Sequence, residues 1–394
     1  MAGNTAYSVA QSEILVGLEA TRGTASTSRL AVPVKSPKYK PDLKLIPDDT
    51  LQGSMVSTYD EIRGLRYDSH GWDSFPYLDT FPIFLMAELG SSDTVGTAAT
   101  ATTLSAASAA GSSTITTTTA LSVGDWVVIG SGSTLETHHV KSVATDVATL
   151  DYPLIYAQAS GATVTGLTSH QFSLLNNAGS GNQPPSVTIL DYDGEEWRQL
   201  TAAQLDELNI KGNATGLVEY TTTWFANAAT TPSAPTVSYS DVETVPGWTT
   251  AISVGGTQLT YVEDWEWNMK RGVKPISALT GSQEYYLYFA DPLVATGKLT
   301  VIEQSGAPEL TQYLDGTKQS LDITVFDLAS GFALNLHSTK AIFTTGELDR
   351  GANGEVKAQV EFTLLPSATD ATAGGVSPMT ATVANSQTTA YAGS

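Results

Sequence analysis

Apolar and polar residues alternate with period two over much of the second half of the chain, most clearly over residues 205–226. Leu208 and Ile210 interleave with Glu207, Asn209 and Lys211. After the polar link 212–216, Val218, Tyr220 and Trp224 interleave with Glu219, Thr221 and Thr223. Two alternating arms about a Gly/Asn turn predict an antiparallel hairpin with one apolar and one polar face. Four further segments read the same way. Trp265, Trp267 and Met269 oppose Asp264, Glu266 and Asn268, while Leu299 and Val301 oppose Lys298 and Thr300. Leu321, Ile323 and Val325 oppose Asp322 and Thr324, and Val356, Val360, Phe362 and Leu364 oppose Lys357, Gln359, Glu361 and Thr363. Strands with one greasy and one wet face make a sandwich or barrel wall, so the fold class is mainly β. Helical spacing stands out once, over 80–90. Thr80 is placed to cap, Pro82 falls in the first turn, Gly90 suits the C-terminal end, and Phe81, Phe84, Leu85 and Leu89 share one apolar face. Residues 201–204 carry a capping-box pattern that runs straight into the alternating strand, which predicts a single helical turn.

The rest of the chain divides around these elements. Residues 1–95 predict the opening part of the main domain, with a strand near 14–19, irregular path through Pro33, Pro37, Pro41 and Pro47, and then the helix. Residues 96–167 begin with an almost pure Thr/Ser/Ala/Gly stretch and continue with short strand-like pieces at 125–130, 138–141 and 149–150. This predicts a small all-β module inserted ahead of the main β core, which spans 168–366. Residues 367–394 form a Ser/Thr/Ala/Gly tail with almost no charge, able to order only against a neighbour.

Charge narrows the function. Nineteen basic residues against 40 acidic give a net charge of −21, which repels phosphate and excludes nucleic-acid binding by charge. Lys35, Lys38, Lys40 and Lys44 form the one basic cluster, without an aromatic stacking series, and read as a solvated loop or a contact with acidic neighbours. The absence of cysteine removes disulfides and thiolate metal sites. No basic n-region with an apolar run marks a signal peptide, and no apolar stretch is long enough to span a membrane.

Candidate chemistry is thin. His138 and His139 are adjacent on a predicted strand, so they point to opposite faces and do not chelate one ion together. The stretch 191–196, DYDGEE, places Ile189 where a calcium loop needs its first ligand, and so reads as a turn between strands. None of the five histidines lies in a nucleophile or metalloprotease motif, and the expectation is a protein that is not an enzyme and carries no cofactor or metal.

Several motifs together carry a family likeness. They are the G-x-E-x-x-x-G-T run from Gly17 to Thr24; 49–59 followed by Ile62-Arg63-Gly64; Phe81-Pro82 through Leu89-Gly90; Gln183-Pro184-Pro185; 194–208; KRGVKPI at 270–276; and AGGVSP at 373–378. In this order and spacing the chain resembles the major tail tube proteins of long, non-contractile-tailed bacteriophages, particularly those of actinobacterial hosts. The resemblance implies a β-sandwich or barrel subunit with one flanking helix. Six copies would close a ring, each giving four strands to an inner β-barrel, and stacked rings would form the virion's tail tube after assembly in the host cytoplasm. It implies as partners a tape measure protein in the lumen, tail terminator and distal tail proteins at the ends, and DNA that passes without specific binding. On that footing the polar face formed by Glu219, Thr221, Thr223, Asp264, Glu266, Asn268, Gln359 and Glu361 is expected to line the DNA channel. The 96–167 insert, absent from the minimal tube fold, is expected to face outward. The rival reading is a carbohydrate-binding tail-tip or cell-surface adhesion module, with Trp72, Trp126 and Trp248 stacking on sugars.

Overall fold

The computed structural model describes residues 7–90, 93–176, 183–304, 309–350, 355–372 and 374–391. Ala373, in the late glycine-rich motif, lies outside them. The fold is mainly β with large antiparallel sheets. In chain order the first elements are β1 (Glu13–Leu18), β2 (Leu30–Val32), β3 (Lys38–Asp48), β4 (Asp60–Ser74), α1 (Pro82–Leu89) and β5 (Thr94–Val95). The insert contributes β6 (Thr102–Thr103), β7 (Thr114–Thr116), β8 (Trp126–Ile129), β9 (Glu136–Ala144), β10 (Val147–Leu150) and β11 (Thr163–Ser173). The main region follows with β12 (Val187–Tyr192), β13 (Trp197–Asn213), β14 (Glu219–Ala226), β15 (Ala251–Val254), β16 (Thr257–Leu259), β17 (Val262–Lys270), β18 (Lys274–Ile276) and β19 (Leu287–Phe289). The last elements are β20 (Val294–Ile302), α2 (Glu309–Asp315), β21 (Lys318–Phe326), β22 (Ala333–Asp349), β23 (Lys357–Leu364) and β24 (Thr380–Asn385).

Two long strands organise the molecule. The first part of β13 pairs with β12, which continues to β1 and β2, whereas its second part pairs with β14 and β17. Likewise β22 pairs with β21 and β24 over its first half and with β23 over its second, with a bulge between Phe343 and Thr345. One section of sheet therefore runs β3-β4-β14-β13-β17-β20-β23-β22, and another runs β16-β15-β21-β22-β24-β11. Their apolar faces meet in one cluster holding Trp265, Trp267, Val360 and Phe362 from the first and Ile323, Leu334, Leu336 and Val383 from the second.

Several local expectations change. The helix starts at Pro82 with Phe81 as its cap residue, and the Thr80 hydroxyl instead donates to the Tyr77 carbonyl at 3.2 Å. Every residue of α1 is buried, so its apolar stripe widens to the whole circumference, as in a core helix. Gly90 does end it in the left-handed region (φ 85°). A second helix, α2, was not anticipated. Residues 201–204 are strand, not a helical turn. Ala202 takes φ 53° at a bulge in β13, where the pairing with β12 slips between Val187 and Ile189. Pro41 and Pro47 sit inside β3, which among the described residues pairs with β4 alone and so tolerates residues without an N–H. Finally, the tail finds its partner within the chain. Strand β24 lies between β22 and β11, burying Ala381, Val383 and Ala384, and Met379 Sδ accepts the Trp267 indole N–H at 3.2 Å.

Residues 99–164 gather an apolar cluster of their own, centred on Leu104, Ile115, Val127, Ile129, Val140 and Val164. The insert is also tied to the rest. Trp126, Val128, Leu135 and Tyr152 belong to the main cluster, and β11 continues from the insert to pair with β24.

Candidate functional site

The eight residues expected on the polar face are brought together on one side of five consecutive strands, β14-β13-β17-β20-β23. Glu219, Thr221 and Thr223 come from β14, Asp264, Glu266 and Asn268 from β17, and Gln359 and Glu361 from β23. Cross-strand register aligns them in rows. One row runs Asp73–Thr221–Asn209–Asn268–Thr296–Thr363; another runs Glu219–Lys211–Glu266–Lys298–Glu361; a third runs Asn213–Asp264–Thr300–Gln359. The opposite side of the same strands is core, with Leu208, Ile210, Tyr220, Trp224, Trp265, Trp267 and Met269 all buried.

The second row alternates acid and base, and the alternation is realised as contacts. Lys35 Nζ lies 2.5 Å from Glu219, Lys211 Nζ 3.4 Å from the other Glu219 oxygen, and Lys298 Nζ 2.9 Å from Glu266. Glu207, two rows away, takes Lys270 at 3.2 Å and the Asn268 amide at 2.9 Å. Hydroxyls occupy two further acids: Thr221 donates to Asp73 at 2.8 Å and Thr300 to Asp264 at 2.9 Å, while the Asn209 amide donates to Glu266. The Lys35 hydrogen bond holds the Glu219 carboxyl below its ordinary range against a smaller effect of burial. Burial raises Glu266, but Asn209 and Lys298 outweigh it and the net direction is down. Each exposed pair is worth only about 0–1 kcal/mol, so the ladder sets register and local charge more than stability.

Lysines stand on the face beside the acids: Lys35, Lys211, Lys270, Lys298 and Lys357 accompany Asp73, Glu207, Glu219, Asp264, Glu266 and Glu361, five cations against six acids. The sequence displays Lys298 and Lys270 on alternating strands, but their ion-pair partners lie on other strands and appear only once the register is known.

Two glycines let the core close behind the face. Gly297 lies between Trp267 and Phe362 on the neighbouring strands, whose rings meet at 5.7 Å; an added Cβ would stand 2.3 Å from Phe362 Cζ and 2.2 Å from the Glu266 carbonyl oxygen. At Gly212 a Cβ would stand 2.6 Å from the Trp265 indole nitrogen.

No protein-family model matches the chain, and no curated protein matches it. The site is therefore read on its own geometry. Among the described residues no group of three or more His, Asp or Glu side chains gathers to hold a metal, and no helix is long and apolar enough to cross a membrane. His138 and His139 do point to opposite sides. His138 is buried between Glu136 (3.0 Å) and Asp151 (3.3 Å), whereas His139 stacks on Trp126 at 4.8 Å. The 191–196 stretch is the β12–β13 turn, where Asp193 accepts the Glu195 and Glu196 N–H groups and pairs with Arg198 at 2.6 Å. Of the three aromatics considered for sugar stacking, Trp72 and Trp126 are buried and only Trp248, 47% exposed, is open to solvent.

Proposed function

We propose that the chain is the subunit of a stacked-ring tube, the tail tube of a long-tailed bacteriophage, and that its five-strand polar face lines a channel for DNA. One observation carries the proposal: all the residues assigned to the channel share a single uninterrupted face backed by core. A conduit must hold no duplex in place, because cationic contacts repeated along DNA release counterions at every turn and add up quickly. Here each of the five lysines is engaged by a carboxylate, and acids outnumber bases. Such a surface is hydrated and keeps a residual negative charge, with these lysines already engaged.

A second feature supports assembly. The β3–β4 hairpin continues beyond the strands that pair with β14, and Leu43, Leu45, Ile46, Leu51, Met55 and Ile62 on it are exposed. An apolar arm of this kind is a liability on a lone subunit and an asset where neighbours cover it. Among the described residues, strand β3 and the second half of β22 also each leave one edge unpaired, which suits head-to-tail contacts that close into rings. The test is negative-stain microscopy with sedimentation of the purified chain. Hollow rings or tubes with a central channel are expected; a monodisperse monomer across the concentration range would overturn the proposal.

A further inference from the structure

A cleft of about 440 Å³ opens where the insert leans on the second section of sheet, on the side of the molecule away from the polar wall, and neither the channel nor the assembly account uses it. Its floor is the outer face of that sheet. Asp322 pairs with His337 and Thr324 with Asn335 across β21 and β22, and the two rows continue to Thr380 and Thr382 on β24. Short polar side chains thus form a grid with spacings of roughly 5 Å between strands and 7 Å along them, the scale of one pyranose ring. One wall is aromatic: the His139 imidazole and the largely buried Trp126 indole both line the cleft, stacked with ring centroids 4.8 Å apart and planes 27° apart.

Charge selects among ligands. His337 sits 2.6 Å from Asp322 and 3.6 Å from Asp370, and Lys141 donates to the Asp151 carbonyl at 3.2 Å. Two carboxylates of the lining, Asp151 and Asp322, together with the buried Asp370 beside His337, outnumber His337 and Lys141, which disfavours phosphates and other anions. No metal-binding group gathers there among the described residues. Burial holds the His139 imidazole below its ordinary pKa, leaving a neutral ring suited to stacking on an apolar C–H face. The volume falls at the lower end of the range for small-ligand sites, about 300–1,000 Å³.

We infer that this cleft is a binding site for one residue of a neutral sugar, with the ring stacked on His139 and its hydroxyls bonded by Asn335, Asp322 and Thr382. Amide, carboxylate and hydroxyl groups together match the paired donor and acceptor character of sugar hydroxyls. The inference is independent of the tube reading, since no residue of the cleft belongs to the channel face.

Saturation-transfer NMR on the full chain tests it, using glucose, galactose, mannose, N-acetylglucosamine and their β-linked disaccharides, with inorganic phosphate as the anionic probe. At least one sugar is expected to bind, and its affinity should fall tenfold or more in both Asn335→Leu and His139→Ala, with unfolding temperatures recorded as a folding control. Phosphate should neither bind nor compete. The inference is overturned if no sugar shows transfer, if phosphate competes, or if folded variants bind as the parent does. Should one variant fail to fold, the other decides.

Discussion

At Gly297 the close approach of Trp267 and Phe362 leaves no space for a methyl group. Gly297→Ala is expected to destabilise the fold by about 1–3 kcal/mol through overpacking, read as a lower unfolding temperature with the same secondary structure. An unchanged unfolding temperature would show that the rings do not meet there. Glu88 poses a different problem. It is fully buried in α1, neither carboxylate oxygen has a hydrogen-bond partner among the described residues, and the neighbouring Arg271 instead donates to the Glu88 and Leu89 carbonyls at 2.8 and 3.2 Å. Burial pushes the Glu88 carboxyl well up, against the pull of Arg271. A raised carboxyl contributes its stability below the ordinary value of about 4.3 and loses it as pH rises through the folded value. Glu88→Gln should therefore gain on the parent as pH increases from 5 to 9. Parallel melting curves for the two proteins across that range would contradict this.

Elements differ in how far their partners could be read from the chain. Strands with strict alternation, such as β14 and β17, were legible because each carries its own inside and outside. Strand β24 was not: six small residues have little periodic contrast, and their place is set by β22 and β11, far away in sequence. The β13 bulge was missed for a related reason, since a capping-box pattern is local and the pairing with β12 that overrides it is not. The insert supplies a prediction of its own. Burial lowers His138, but its hydrogen bonds to Asp151 and Glu136 outweigh this and the net direction is up; burial raises Glu136, but His138 and Gln158 carry it down. The raised histidine stabilises fully below about pH 6.5 and loses its contribution as pH rises through the folded value. The depressed glutamate stabilises above about pH 4.3 and loses its contribution as pH falls. The pair thus contributes most between these limits. His138→Gln should melt well below the parent near pH 5.5, and the gap should narrow toward pH 8.5; a gap that widens with pH would contradict the assignment.

Across the whole molecule, the polar face was legible from alternation, but its charge balance was not, because the lysines that neutralise it reach their partners only through strand register. The insert sits apart from that face. None of the five wall strands pairs with it, while Trp126, Val128, Leu135 and Tyr152 share the main core. Replacing residues 97–166 by a short linker should therefore leave ring formation intact and lower the unfolding temperature. Loss of assembly in a folded deletion variant would instead place the insert in an interface.

The central claim is that the β14-β13-β17-β20-β23 face looks into a channel. A cryo-electron-microscopy map of the assembled chain tests it most directly. The account predicts a hollow tube with the Glu219–Lys211–Glu266–Lys298–Glu361 row on its inner wall and Trp265 and Trp267 one layer behind. A map with that row on the outer surface, or with the two tryptophans facing the channel, would contradict it.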